Sequence, residues 1–360
     1  MRADCAIMSA FYLSLLCLVA LAYATSLKMS GNVRQSSTSI PVQTSISPRK
    51  ALFLDIVQSG LEDRFGSFLG NDGELSRVYS FLQYVRGELD APVGINDQHD
   101  PCEEYIDGLK AMPWWNPSDF DWVQPLEEGA PIIQKELELQ SETRSQNKEL
   151  FKGDSNVQTL MGSGWTAFRL QRMGEWNEEN SAKFPLTTKL VKALKIPLAV
   201  RGVMFAKQEP GSGVQPHSDG RNFILTCHLG LRVPRQDANN GDRQADDETG
   251  CWIKVADEKR QWENGKAIVF DTSFTHSTGN FTDDERLVLI IDFWHPDLSE
   301  KERQALEFVY DARNKFESGK AKEIDASWVK DGRPLTVDAY LKKNTNSLTG
   351  FMNNFTNKFF

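Results

Sequence analysis

PHSDGRNFILTCHLGLRVP, from Pro216 to Pro234, and FDTSFTHSTGNFTDDERLVLIIDFWHP, from Phe270 to Pro296, hold the residues around which the chain is organised. Alternate residues of an extended segment or bulge point the same way, so His217 and Asp219 can both touch one ion. His276 supplies a second imidazole, and Arg286 follows it by ten residues. Two imidazoles and one carboxylate are the ligand set of a facial iron(II) site that keeps coordination positions open. If Arg286 stands on the strand returning beside His276, its guanidinium can take a planar carboxylate in a bidentate grip. An HxD pair alone occurs often by chance; joined to His276 and Arg286 it gains specificity. Zinc or manganese would also suit these ligand types. A zinc hydrolase, however, wants a nearby acid as general base and has no use for Arg286.

Working outward, Asn222 to Val233 reads as a strand. So do Trp165 to Leu170, Ala199 to Lys207, Cys251 to Val255, Ala267 to Phe270 and Leu287 to Phe293. Many short strands separated by turns, such as Glu209 to Gly213 and Gly174 to Ala182, predict a closed or sandwiched antiparallel sheet. Helical spacing appears elsewhere. Leu52, Ile56, Leu61 and Phe65, then Leu75, Val78, Leu82 and Val85, predict two helices over Ala51 to Leu89. Pro125 to Leu150 reads as an amphipathic helix with Leu126, Ile132, Ile133 and Leu137 inward. Pro185 to Leu194 is another helix, and Ser299 with Glu302 forms a capping box for a last one. The aromatics of Pro113 to Trp122, and Trp165, Trp252 and Trp262, read as packing residues. On pattern alone His228, among Leu225, Cys227, Leu229 and Leu231, reads as a core histidine, and His295 as structural. His99 reads as an uncommitted loop residue. The polar stretch Gln236 to Thr249 reads as a solvated loop, with gating of a substrate as its functional alternative.

The 360 residues suit one large domain with extensions or two smaller ones, and charged residues make up 25%, so most of the chain should fold. A net charge of -9 argues against a nucleic-acid groove. Residues 1–24 read as a signal peptide, with a membrane anchor as the alternative. The acid-free stretch that follows also suits a bipartite leader to another organelle. Residues 25–50 read as a disordered linker, 51–150 as a helical region bracing the sheet, 151–298 as the β domain that carries His217, Asp219, His276 and Arg286, and 299–360 as a helical and irregular extension. Beyond the leader, Cys102, Cys227 and Cys251 lack CxxC spacing, which excludes a disulfide scaffold or zinc knuckle and leaves one disulfide or three thiols. Asn280-Phe281-Thr282 is a glycan acceptor if the chain enters the secretory pathway.

Through PGSGVQPHSD, CHLGLRVP, CWIKVADEKRQWENGKAIVFDTSFTHS and RLVLIIDFWHPDLS, the chain resembles the aspartyl/asparaginyl beta-hydroxylase family of iron(II)- and 2-oxoglutarate-dependent dioxygenases. The resemblance runs from about Trp165 to Leu306, with a weaker echo at PWWNPSDFDWVQPLE. It implies a mainly β fold: a double-stranded β-helix (jelly-roll, cupin-like) core with flanking N- and C-terminal helices. It implies iron on His217 and His276, and 2-oxoglutarate on His228 and Arg286, with molecular oxygen as the other co-substrate. The best-known animal members have glycine where Asp219 stands, so Asp219 would complete a facial triad here. They also carry an arginine where this chain has Thr226, so co-substrate anchoring would rest on Arg286, with neutral hydrogen bonding by Thr226 in compensation. The implied reaction is hydroxylation of an Asp or Asn side chain at its beta carbon in a polypeptide, yielding succinate and CO2. The alternatives are a small-molecule or lipid-linked substrate, or a non-catalytic barrel acting as a binding module. The N-terminal leader, read as a signal, directs the chain to the secretory pathway, in the lumen or membrane of the endoplasmic reticulum.

Overall fold

The computed structural model describes residues 46–90, 102, 104–143, 150–151, 164–234, 249–318, 329–330 and 333–334. The two predicted N-terminal helices form as α1 (Pro48–Phe65) and α2 (Ser76–Arg86). The Ser47 hydroxyl caps α1 by accepting from the Lys50 amide at 3.2 Å, and Gly87, in the left-handed region, ends α2. After the short strand β1 (Trp114–Trp115), the single helix expected over Pro125 to Leu150 is two, α3 (Val123–Glu128) and α4 (Ala130–Thr143). Leu126, Ile133 and Leu137 point inward, but Ile132 is 49% exposed. Ile133 and Leu137 are four residues apart on one helical face, and Ile132 lies about 100° round from Ile133 and about 140° from Leu137.

The chain continues through β2 (Trp165–Arg172), β3 (Glu175–Trp176), α5 (Glu178–Lys183), α6 (Pro185–Ala193), β4 (Leu198–Gln208), β5 (Ser212–His217) and β6 (Ile224–Arg232). Then come β7 (Gly250–Val255), β8 (Glu258–Arg260), β9 (Ala267–Asp271), β10 (His276–Phe281) and β11 (Arg286–Trp294). Last are α7 (Glu300–Ser318) and the hairpin β12 (Val329–Lys330) and β13 (Arg333–Pro334). The predicted capping box is present: the Ser299 amide donates to Glu302 Oε2 at 2.8 Å, and the Glu302 amide donates to Ser299 Oγ at 3.2 Å. Glu302 also grips Arg77 of α2 through two bonds of 2.7 and 2.6 Å, tying the first helical hairpin to the last helix.

The expectation of a mainly β jelly-roll core is corrected. The fold is mixed α/β, with a seven-stranded sheet in the order β1-β9-β6-β11-β4-β2-β3 and a separate four-stranded sheet in the order β5-β10-β7-β8. The sheets are not closed into a barrel; the large one ends at the two-residue strands β1 and β3. The physical reason lies in β11 and β6, whose residues are almost all buried. Strands covered on both faces read as continuous apolar runs, and helices supply one of the covers. Leu225, Cys227, Leu229, Leu287, Leu289 and Ile291 meet Leu126, Ile133 and Val191 of the helices on one side. On the other, Met204, Ala206, Phe270, Val288 and Ile290 meet Val214, Ile253 and Val255 of the small sheet. A third core joins α1, α2 and α7 to Phe223, Ile224 and Trp294.

The membrane anchor raised from sequence is corrected as well. Among the described residues no helix is long and apolar enough to cross a membrane. The apolar run of the leader lies outside the described residues, as do His99 and the stretch 235–248.

One backbone irregularity places a functional side chain. Met204 and Ala206 face the small sheet, so regular alternation would send Arg201 to the helix side. Gly202, at φ +69°, interrupts β4 where the register against both β2 and β11 shifts. That bulge turns Arg201 inward. A Cβ at Gly202 would lie 2.4 Å from the Gln171 carbonyl oxygen. Gly202→Ala is expected to destabilise the protein by roughly 2–3 kcal/mol through left-handed strain and this clash, as read from the denaturant midpoint.

Candidate metal and carboxylate site

His217 ends β5 and His276 begins β10, and the antiparallel ladder pairs them directly. Their ring centroids are 4.3 Å apart. Asp219 follows in a loop stitched to the turn before β10. Its amide donates to the Thr272 carbonyl at 2.9 Å, and Ser218 Oγ donates to the Ser273 carbonyl at 2.9 Å while accepting from the Gly220 amide at 3.1 Å. On the far side the Glu104 amide donates to the Gly220 carbonyl at 3.1 Å, and the Glu104 carboxylate holds Arg313 at 2.6 Å and accepts from Tyr310. Ligand atoms of His217, Asp219 and His276 all lie within 4.8 Å of one another.

The two imidazoles are oriented alike. Nδ1 of His217 lies 2.8 Å from the Gln215 carbonyl, and Nδ1 of His276 lies 3.0 Å from that of Phe274. A carbonyl only accepts, so each Nδ1 carries the proton and each Nε2 keeps a lone pair for a metal. Burial, opposed by Asp219, pushes His276 down to about 4, so it is neutral at physiological pH. Burial acts against ionisation of Asp219, but Arg201 holds its carboxyl far below the usual range. His276 and Asp219 are thus in the protonation states that a divalent cation requires.

Arg286 opens β11 and is 1% exposed. It shares the inner face of the strand with Val288, Ile290 and Asp292, and on β6 the partners of Ile290 and Asp292 are His228 and Thr226. Its guanidinium sits 4.3 Å over the ring of Trp262. Trp262 Nε1 donates to His228 Nδ1 at 3.3 Å, which leaves His228 Nε2–H as the donor. Burial, then Arg286, lowers the His228 pKa well below its ordinary value, so the ring is neutral. Burial pushes Arg286 down to about 10, which leaves it cationic at neutral pH. Yet its Nε and Nη1 atoms are buried without hydrogen-bond partners, and among the described residues no carboxylate forms an ion pair with it. A desolvated, unpaired cation costs several kcal/mol, and an incoming carboxylate would relieve that cost. Trp262 also lines, with Cys251, Gln261 and Asn264, a cavity of about 240 Å³ that excludes the two ligand histidines.

The structure therefore gathers His217, Asp219 and His276 at one point and sets His228 beside Arg286. Thr226 is engaged differently from the expectation. Its hydroxyl donates to Asp292 Oδ1 at 2.6 Å and lies 3.4 Å from Arg201 Nη2. Arg201 was not singled out from the sequence, because alternation hid it. Its Nη1 donates to Asp219 Oδ2 at 2.6 Å, and its Nε is in ionic contact with Asp292 Oδ2 at 2.7 Å. Trp262, read as packing, is in fact the platform for both His228 and Arg286. His295 is fully buried and structural, bonding the Lys110 carbonyl at 3.0 Å and accepting from the Asp297 amide at 3.1 Å. Asp271 holds its own turn through Ser273. Asn280, the conditional glycan acceptor, is fully buried, its amide spent on the carbonyls of Gln208 and Asp284. Cys102, Cys227 and Cys251 are buried thiols.

Residues 127–296 match the family model described as aspartyl/asparaginyl beta-hydroxylase. The chain is 31% identical over 206 residues to the mouse protein named aspartyl/asparaginyl beta-hydroxylase, covering 56% of this chain and 26% of the mouse one. The human protein of that name gives 31% over 207 residues. The chain thus spans about a quarter of the length of these relatives. It is also 31% identical over 185 residues to an ornithine lipid ester-linked acyl 2-hydroxylase of Rhizobium tropici, covering 51% of this chain and 61% of that one. Among solved structures, a Pseudomonas putida prolyl-4-hydroxylase aligns over 46% of this chain and 86% of its own, at 17% identity and a TM-score of 0.28. That likeness is too slight to carry an argument.

Arg286→Met replaces a buried, unpaired charge by an apolar side chain of similar length. The free protein is expected to gain roughly 1–3 kcal/mol of stability, while losing the rise in melting temperature that a small dicarboxylate confers on the metal-loaded wild type. A variant less stable than wild type, or one still stabilised by the dicarboxylate, would contradict the assignment.

Proposed function

We infer that this chain is an iron(II)- and 2-oxoglutarate-dependent dioxygenase acting on an Asp or Asn side chain in a peptide or protein, a reading supported by the match of residues 127–296 to the aspartyl/asparaginyl beta-hydroxylase family model. The observation that carries the reading is Arg286, buried with no acceptor for its Nε or Nη1, on the same strand face that leads to a two-histidine, one-carboxylate cluster. His217, Asp219 and His276 would hold the iron, and Arg286 with His228 would hold the far carboxylate of 2-oxoglutarate. When bound, iron with this co-substrate and oxygen supplies oxidative decarboxylation and C–H hydroxylation, with succinate and CO2 as products.

The chain's own residues do the rest. The carbonyls of Gln215 and Phe274 fix the imidazole tautomers and keep both Nε2 lone pairs aimed at one point. Trp262 orients His228 and covers Arg286. Phe270, Val288, Ile290 and Val255 exclude water from the space between the sheets, which strengthens each electrostatic contact inside. Charge balance supports the cofactor pair. Asp219, Asp292, Arg201 and Arg286 sum to zero, so a dication entering with a dianion leaves the balance around these four groups unchanged. A non-catalytic binding module or a zinc hydrolase would have no need of this arrangement.

A second reading keeps the chemistry and changes the substrate. The bacterial acyl hydroxylase is as similar as the animal proteins and is matched over more of its length, which favours testing lipid-linked acyl chains beside peptides. The purified chain, given Fe(II), 2-oxoglutarate and oxygen, is expected to form succinate, and His276→Ala to abolish it. With a pool of Asp- and Asn-containing peptides, a product gaining one oxygen at a beta carbon supports the first reading; oxygen gained only by an ornithine lipid supports the second. Absence of succinate from folded wild-type protein with iron bound defeats both. Residues 1–24, an apolar run behind one early arginine, support routing into the secretory pathway. A fluorescent fusion of the full chain is expected in the endoplasmic reticulum, and residence in another organelle would favour the bipartite leader.

A further inference from the structure

Arg201 is placed with unusual care for a side chain that no motif contains. The Gly202 bulge turns it inward, and Arg169 Nη1 donates to its carbonyl at 2.7 Å, bracing the backbone at that point. Asp292, fully buried, lies 2.7 Å from its Nε. Thr226 in turn bonds Asp292 at 2.6 Å, so the anchoring carboxylate is itself fixed. Only then does Nη1 meet Asp219 Oδ2 at 2.6 Å. The result is a chain of contacts, Thr226 to Asp292 to Arg201 to Asp219, running from the centre of β6 to the metal cluster.

The consequence concerns how many oxygens Asp219 can offer. A carboxylate binds a cation through one oxygen or through both. With Oδ2 engaged by a guanidinium, Oδ1 is the oxygen left for the metal. A second oxygen on the metal would fill a position that the co-substrate needs, so the contact bears on reactivity as well as on stability. We propose that Arg201 is the positioning residue of this centre: held by Asp292 and Thr226, it restricts Asp219 to a single ligating oxygen and so keeps coordination positions open. The inference rests on the dioxygenase reading above. It assigns Thr226 a part in the site that acts through Asp292 and Arg201.

A purely structural ion pair would hold β4 to β6 and leave the metal's surroundings unchanged when altered. The test therefore reads the surroundings. Co(II) is titrated into the full chain, its ligand-field absorption is recorded, and 2-oxoglutarate is then titrated against that absorption without oxygen. Wild type is compared with Arg201→Met, Arg201→Lys and Asp292→Asn, with folding followed by circular dichroism. Arg201→Met is expected to bind Co(II) with an altered spectrum and to bind 2-oxoglutarate about tenfold more weakly, within the range for lost partners of metal ligands. Arg201→Lys, which keeps the charge but not the fork, is expected to restore part of the affinity. If Arg201→Met does not fold, the nearly isosteric Asp292→Asn decides, with the same spectral change and a weaker affinity expected. A wild-type spectrum and wild-type affinity in the folded variants would overturn the inference alone. Failure of the wild-type chain to bind Co(II), or of its Co(II) form to bind 2-oxoglutarate, would overturn the dioxygenase reading and this inference with it.

Discussion

The strand from Arg286 to Trp294 is buried along its whole length, and a strand in that state must be covered on both faces. Leu287, Leu289, Ile291 and Phe293 bury against the helices. Val288 and Ile290 bury against the four-stranded sheet. The order of layers follows from this requirement, with helices, then the large sheet, then the small one. So does the location of the site, because the polar residues that interrupt the inner face, Arg286 and Asp292, stand in the narrow space between the two sheets.

Polar groups in such a place must find partners. Asp292 finds Thr226 and Arg201, and Arg201 also finds Asp219. Arg286 finds the face of Trp262 but no acceptor for its Nε or Nη1. The same low-dielectric interior that makes an isolated cation costly makes an arriving carboxylate bind well. Stability forgone at Arg286 in the free protein is thereby available for ligand recognition. The histidines are treated in the opposite manner. Their Nδ1 atoms are held by nearby carbonyls, so both rings are turned with Nε2 toward the shared point.

Asp219 lies where these two arrangements meet. It belongs to the metal cluster through its position beside His217 and His276, and to the ionic chain through Arg201. The loop that carries it is fastened from both sides, by Thr272 and Ser273 toward the metal and by Glu104 toward α7. The helical core formed by α1, α2 and α7, remote from the ligands in sequence, thus contributes to the rigidity of the ligand loop.

The candidate site residues were legible in the sequence because ligand types are local. His217, Asp219, His276 and Arg286 declare themselves by identity and spacing, and the strands around them by apolar alternation or continuity. The capping box at Ser299 and the helices over α1 and α2 were legible for the same reason, since caps and helical periodicity involve residues a few positions apart. What alternation could not give was decided in three dimensions. Whether the sheets close depends on edges and on helices arriving from elsewhere in the chain, so the expected jelly roll gave way to two open sheets under a helical layer. Arg201 gave no signal in the pattern, because a bulge at one glycine reverses the side to which its neighbour points. Thr226 and Trp262 were visible as residue types, but their bonds to Asp292 and His228 join segments 66 and 34 residues apart. Sequence by itself thus determined which groups can ligate and which segments extend; the tertiary structure decided which of them meet, since burial and charge pairing are settled only when distant strands share one interior.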